Sequence, residues 1–132
     1  MLHRLAAPGV ILVVLVSTLS APASAQDKQD MLSAFMKAKL EHSGKVLEGL
    51  AREDFDLIAK HSAAISLLCE DELWSVMQTP EYIERSKEFR RSVYAITEAA
   101  RKKNLEAAAF AYVDSTMKCV SCHKYVRQAR KP

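Results

Sequence analysis

Apolar side chains recur at gaps of three and four residues in four separate stretches of this chain. Such spacing places them along one face of an α-helix, and no run of β-branched residues alternates with polar residues as it would in a strand. In the first stretch, residues 28–51, this face comprises Leu32, Met36, Leu40, Ser43, Leu47 and Leu50. In the second stretch it comprises Ile58, Ser62, Ile65 and Cys69.

Capping residues and charges mark the ends of these helices. Asp54 or Asp56 can cap the second helix, which should stop at its acidic end with a turn through residues 71–74. Thr79, which precedes a proline, predicts the start of the third helix, and Asn104 predicts the start of the fourth. The third stripe is Tyr82, Ser86, Phe89, Val93, Ile96 and Ala100. The fourth is Leu105, Ala109, Tyr112, Thr116, Val120, His123 and Val126. Four narrow stripes joined by short connections predict an all-α fold, an antiparallel four-helix bundle.

The N-terminal 25 residues have the features of a secretory signal peptide. A weakly basic start is followed by an apolar run at residues 10–19 and by the small-x-small sequence Ala23-Ser24-Ala25. The run is shorter than the roughly 20 residues of a transmembrane helix, so a retained anchor is the weaker alternative. We therefore predict a signal peptide at 1–25, a domain at 26–132, a periplasmic location and no integral membrane segment in the mature chain.

Length and charge exclude some classes of function. The 132 residues suffice for one small domain, and 19 Lys and Arg against 16 Asp and Glu give a formal charge of +3. Nucleic-acid binding needs a marked basic patch, so no nucleic-acid partner is predicted. The basic segment 124–131 is interpreted as a solvated helix end, with a docking patch as the alternative.

Two of the three cysteines belong to a Cys-x-x-Cys-His motif at residues 119–123. In c-type haem attachment two thiols add across the vinyl groups of the porphyrin, and the histidine that follows binds the iron. The motif predicts one haem c, covalently bound by Cys119 and Cys122, with His123 as an axial ligand. Cys69 remains, and its apolar neighbours favour packing in the core.

Other uses of paired cysteines fit the sequence less well. A zinc site needs two further ligands, but Cys69 is alone, and His42 and His61 are not spaced as a pair. We interpret these histidines as surface or boundary residues. A thioredoxin-like motif opens a helix in a βαβ unit, whereas this motif lies near the end of the last predicted helix.

A haem motif at the C-terminal end of a four-helix bundle resembles the class II c-type cytochromes, the cytochrome c-prime family. The residues that carry the resemblance are Cys119-Val120-Ser121-Cys122-His123, followed by Arg127 four positions after the histidine. The similarity covers nearly all of 26–132. This family often has an aromatic residue directly before that arginine, where this chain has Val126, with Tyr125 one position earlier.

The resemblance implies that helix one faces the iron. Matching the segment 43–56 to the family pattern puts Met36 at that position, and Met36 also lies on the apolar stripe, so we predict it as the second axial ligand. The alternative is that Met36 only fills the core. Met31, Met77 and Met117 are weaker candidates.

The family often has an arginine, useful for the haem propionates, one turn before the distal residue. Leu32 stands there in this chain, so Arg90, Arg91 or Lys39 is expected to serve the propionates instead.

A histidine–methionine haem iron passes electrons without losing a ligand, so the resemblance implies an electron carrier and not an enzyme. Redox partner proteins are the expected partners, and a homodimer is a further assembly that the sequence allows. If Met36 is not bound to iron, the alternative is a five-coordinate protein that binds nitric oxide or carbon monoxide. A peroxidase needs a distal acid–base residue, which helix one lacks near Met36.

Overall fold

A computed structural model describes residues 23–72 and 77–129 of the chain. Within these ranges the chain forms four helices and no strand, which confirms the all-α prediction. The helices are α1 (Ala23–Arg52), α2 (Phe55–Glu72), α3 (Pro80–Arg101) and α4 (Leu105–Ala129). None of them combines the length and the apolar character that crossing a bilayer requires. Most of the predicted signal peptide and half of the predicted turn at 71–74, residues 73 and 74, lie outside the described residues.

Three helices begin at the capping residues that the sequence indicates. The side chain of Asp54, not Asp56, accepts a hydrogen bond from the Leu57 amide at 3.0 Å. Thr79 accepts from the Tyr82 amide at 3.3 Å, and the Asn104 side chain accepts from the Ala107 amide at 2.9 Å. Each bond satisfies an amide that the first helical turn leaves without a partner.

The four helices pack as a bundle in which successive helices run antiparallel. Along α1 and α2, Gly49 lies beside Ile58 and His42 beside His61, so the numbering falls on one helix as it rises on the other. Along α3 and α4, the hydroxyl of Thr79 bonds that of Tyr125 at 2.9 Å, and Arg85 bonds Ser121. The smallest contact between neighbouring helices is that of α1 with α4.

One apolar core joins the helices. Its buried members are Val46, Ile58, Ile65, Cys69, Val93, Ile96 and Ala100. The predicted stripe of α2 is buried throughout, and most of the α3 stripe is buried as well. Ser62 and Thr97 are buried too, and their hydroxyls bond each other at 2.7 Å, which removes the cost of burying them alone.

The structure corrects three details of the helical pattern. α1 already includes Ala23, the first described residue, five positions before the predicted start. α2 continues through the acidic segment to Glu72. Three apolar stripe positions are wrong as core positions, because Leu40 is 74%, Leu47 is 53% and Val120 is 56% exposed.

Candidate cofactor site

A cavity of about 460 Å³ opens among the four helices, within the size range of cofactor sites. Helices α1 and α2 contribute Leu32, Met36, Lys39, Leu40, Ser43, Ile65 and Cys69 to its wall. Helix α3 contributes Tyr82, Ser86, Phe89, Val93 and Ile96. Helix α4 contributes Tyr112, Ser115, Thr116, Cys119, Cys122, His123, Val126 and Arg127. Most of these side chains are apolar or aromatic.

The cavity brings together the four residues that the sequence singles out. Cys119, Cys122 and His123 line it from α4, and Met36 lines it from α1. Met36 and Cys122 are half-buried, while Cys119 and His123 are more exposed. The motif therefore faces the interior of the bundle at the rim of the cavity, and Met36 faces the same space from another helix.

The competing methionines do not line this cavity. Met31 is 46% exposed and Met117 is 61% exposed, and Met77 is half-buried in the segment before α3. Of the four candidate methionines, only Met36 therefore reaches the space that the motif faces.

The sparse contact between α1 and α4 leaves room for the cavity. The two helices are bridged beside it by the hydroxyls of Ser43 and Tyr112, which lie 3.3 Å apart. Ser115 and Thr116 donate to the Tyr112 carbonyl, so their hydroxyls are satisfied within α4. Polar groups on this wall are thus largely paired with the protein itself, and the space between the helices is apolar.

Cys69 lies in the wall of the same cavity. It is 3% exposed, so the prediction that it packs in the core is confirmed. Its sulfur adds soft, apolar surface to the wall.

Two cations, Lys39 and Arg127, line the cavity. The Lys39 ammonium lies 5.7 Å from the centre of the Phe89 ring, a cation–π distance. Arg90 and Arg91 line a separate surface groove between α2 and α3. Among the residues proposed for the propionates, only Lys39 therefore contacts the cavity, and Arg127 joins it as a further cation.

A cluster of polar contacts between α3 and α4 holds the segment of α4 that carries the motif against α3. The Arg85 guanidinium donates to the hydroxyl of Ser121, pairs with Glu81 at 2.6 Å and lies 5.5 Å from the centre of the Tyr125 ring. The Tyr125 hydroxyl in turn bonds Thr79. Sequence reasoning missed this cluster because its members are far apart in the chain and no local pattern joins them.

Tyr125 thus turns toward α3, and its neighbour Val126 lines the cavity. At the position before Arg127, where the family often has an aromatic residue, the aliphatic Val126 therefore lies in the cavity wall, and the ring of Tyr125 lies outside the cavity.

Two histidines outside the motif, His42 on α1 and His61 on α2, contact each other. Their Nδ1 atoms lie 2.8 Å apart, and both residues are half-buried. Burial lowers the pKa of His61, with further lowering from His42, Lys60 and Lys45, while Glu48 acts in the opposite sense. The prediction of boundary positions is confirmed. The prediction that these histidines do not form a pair is wrong, because the docking of α1 on α2 brings together residues that lie 19 positions apart in the chain.

Within residues 23–72 and 77–129, no three His, Cys, Asp or Glu side chains converge as ligands for a metal ion. Comparison with protein-family models, with curated proteins and with solved structures gave no match. The resemblance to class II c-type cytochromes therefore stays a prediction from the motif and the helical pattern of the sequence.

Proposed function

We propose that this protein is an exported c-type cytochrome that carries electrons between redox partner proteins. One haem c would be bound covalently by Cys119 and Cys122, with His123 and Met36 as its axial ligands. The observation that carries the proposal is that these four residues, from α1 and α4, line one largely apolar cavity.

The volume, polarity and donor set of the cavity support a haem as its occupant. A porphyrin needs a mostly apolar space, with polar groups only where the propionates lie. Aliphatic and aromatic side chains from all four helices form such a wall, and Lys39 and Arg127 supply the cations. A haem iron takes only its axial ligands from the protein, so a cluster of three ligating side chains is not required.

In this proposal the residues of the chain would hold the iron ligands in place and shield the haem. A haem held by His123 and Met36 would supply a one-electron redox centre, in which the thioether of Met36 would favour the ferrous state. The hydrogen bond from Arg85 to Ser121 holds α4, which carries His123, against α3. The core around Val46 holds α1, which carries Met36. Ligands fixed by packed helices move little during electron transfer, which keeps the reaction fast.

The optical spectrum of the purified protein and of Met36→Leu tests this function. The swap nearly preserves volume and should cost less than about 1.5 kcal/mol of stability. We expect a low-spin, six-coordinate ferric spectrum for the unmutated protein. Met36→Leu should become high-spin and five-coordinate, with a lower potential and ready binding of carbon monoxide.

Met117→Leu is the matched control, because Met117 is exposed and outside the cavity. Its spectrum should be unchanged. If Met36→Leu stays low-spin, another residue is the ligand. If the unmutated protein is already high-spin, binding of nitric oxide or carbon monoxide replaces electron transfer as the proposed function.

A further inference from the structure

We infer that His42 and His61 form a second metal site, a two-histidine chelate for a divalent transition-metal ion such as Ni²⁺ or Cu²⁺. This site is separate from the cavity, because neither histidine lines its wall. The inference rests on the geometry of the pair and not on the proposed haem.

The distance between the two nitrogen atoms suits a shared ion. Imidazole nitrogens bind such ions at about 2.0–2.1 Å, so two of them lie about 2.9 Å apart when the angle at the metal is 90°. A tetrahedral angle would need about 3.3 Å. The observed separation of the Nδ1 atoms is 2.8 Å, which matches the right angle of square-planar and octahedral ions.

The packing of α1 on α2 holds the two imidazole rings next to each other. His42 and His61 belong to different helices and are 19 positions apart in the chain. Between them and the α1–α2 turn lie Val46 and Ile58, both fully buried. The ring centres are 5.0 Å apart with planes inclined by 43°. Much of the entropy of bringing two ligands together has therefore already been lost on folding.

Ion binding needs no change in net charge at the pair. In the metal-free pair of neutral rings, one Nδ1–H donates to the other Nδ1. When that ring carries its proton on Nε2 instead, both Nδ1 lone pairs are available to one ion, with water completing its coordination. Both side chains are only half-buried, so water can reach the site.

The charged neighbours make the affinity moderate. Lys45 and Lys60 oppose a dication, as their effect on His61 indicates. Glu48 favours it, but this carboxylate also binds Lys45 at 2.7 Å and Arg52 at 2.9 Å. Removing a lysine charge should therefore tighten binding, whereas removing an imidazole should weaken or abolish it.

Calorimetric titration with NiCl₂ tests the site, since Ni²⁺ does not oxidise thiols as Cu²⁺ does. The full chain is compared with His42→Gln, His61→Gln and the double variant. Every form retains Cys119, Cys122 and His123, so the difference between them reports the pair whether or not haem is present. We expect each variant to bind one Ni²⁺ fewer, or about 10- to 100-fold more weakly, since losing an outer-shell partner alone has an effect of that size.

Two further measurements guard against a variant that misfolds. Lys60→Gln alters an exposed residue and should bind Ni²⁺ more tightly than the unmutated chain. Excess Ni²⁺ should raise the melting temperature of the unmutated chain and not that of the double variant. Equal stoichiometry, affinity and melting response in the unmutated chain and the double variant would overturn the site.

Discussion

The Arg85 guanidinium on α3 donates a hydrogen bond to the hydroxyl of Ser121, which lies between the two cysteines of the motif on α4. The same side chain lies over the Tyr125 ring on the next turn. These two contacts hold α4 against α3 on both sides of His123. They therefore restrict rotation of α4 about its own axis, which directs the motif into the cavity.

Arg85→Gln should destabilise the fold by about 1–3 kcal/mol, because it removes a charged hydrogen bond and a cation–π contact. Urea unfolding measures this loss. The yield of covalently bound haem should fall as well, since α4 is held less firmly. Arg91→Gln is the control, because Arg91 is 74% exposed and lies 3.9 Å from Glu84. Equal losses in the two variants would show that Arg85 does not hold α4.

Gly49 on α1 packs closely against Ile58 at the start of α2. A Cβ at this position would lie 2.8 Å from Cγ1 of Ile58 and 3.2 Å from the Asp54 carbonyl oxygen. Gly49→Ala should therefore cost about 1–3 kcal/mol in the free energy of unfolding, as overpacking does.

Gly44 gives the matched comparison within the same helix. A Cβ at Gly44 meets nothing within 4 Å, so Gly44→Ala should stabilise the protein by about 0.5–1 kcal/mol through helix propensity. Chemical denaturation of both variants checks the pair of predictions. The free energy of unfolding should fall for Gly49→Ala and rise for Gly44→Ala. A stabilising Gly49→Ala would contradict the close packing of α1 on α2.

Stability should depend on the protonation of His61. Folding lowers the pKa of His61 from its usual value of 6.5, chiefly through burial, so the unfolded chain binds the proton more readily. Stability is then fully present above pH 6.5 and declines as pH falls through and below that value. Unfolding curves measured from about pH 8 to pH 5 should show this decline. The decline should be smaller in His61→Gln, and an unchanged slope would exclude His61 as its source.

The helix boundaries and much of the core follow from local pattern. Caps at Thr79 and Asn104 act within one turn, and the burial of Ile58, Ile65 and Cys69 follows from their spacing along α2. Such features depend on neighbours three or four residues away, which the sequence displays directly.

Helix α1 shows where the pattern is insufficient. Leu47 fits the stripe by spacing but is exposed, while Val46 beside it is fully buried. Residues 32–43 of α1 contribute to the cavity wall, whereas the segment from Val46 to Gly49 packs on Ile58. Because the surroundings change along the helix, a single apolar stripe does not describe both parts.

The sequence predicted the residue types of the candidate site, but it did not predict the contacts between helices that surround them. The motif at 119–123 identifies its own residues, but the contacts of Arg85 with Ser121 and of His42 with His61 join positions 36 and 19 residues apart. Such contacts depend on how the helices dock, which no spacing within one helix reveals.

Covalent haem attachment is tested most directly by extracting the protein with acid–acetone after expression in cells that mature c-type cytochromes. Thioether bonds through Cys119 and Cys122 predict that haem stays with the polypeptide during extraction and denaturing electrophoresis. The double variant Cys119→Ala/Cys122→Ala should retain none. Complete release of haem from the unmutated chain, or equal retention in the double variant, would contradict the assignment.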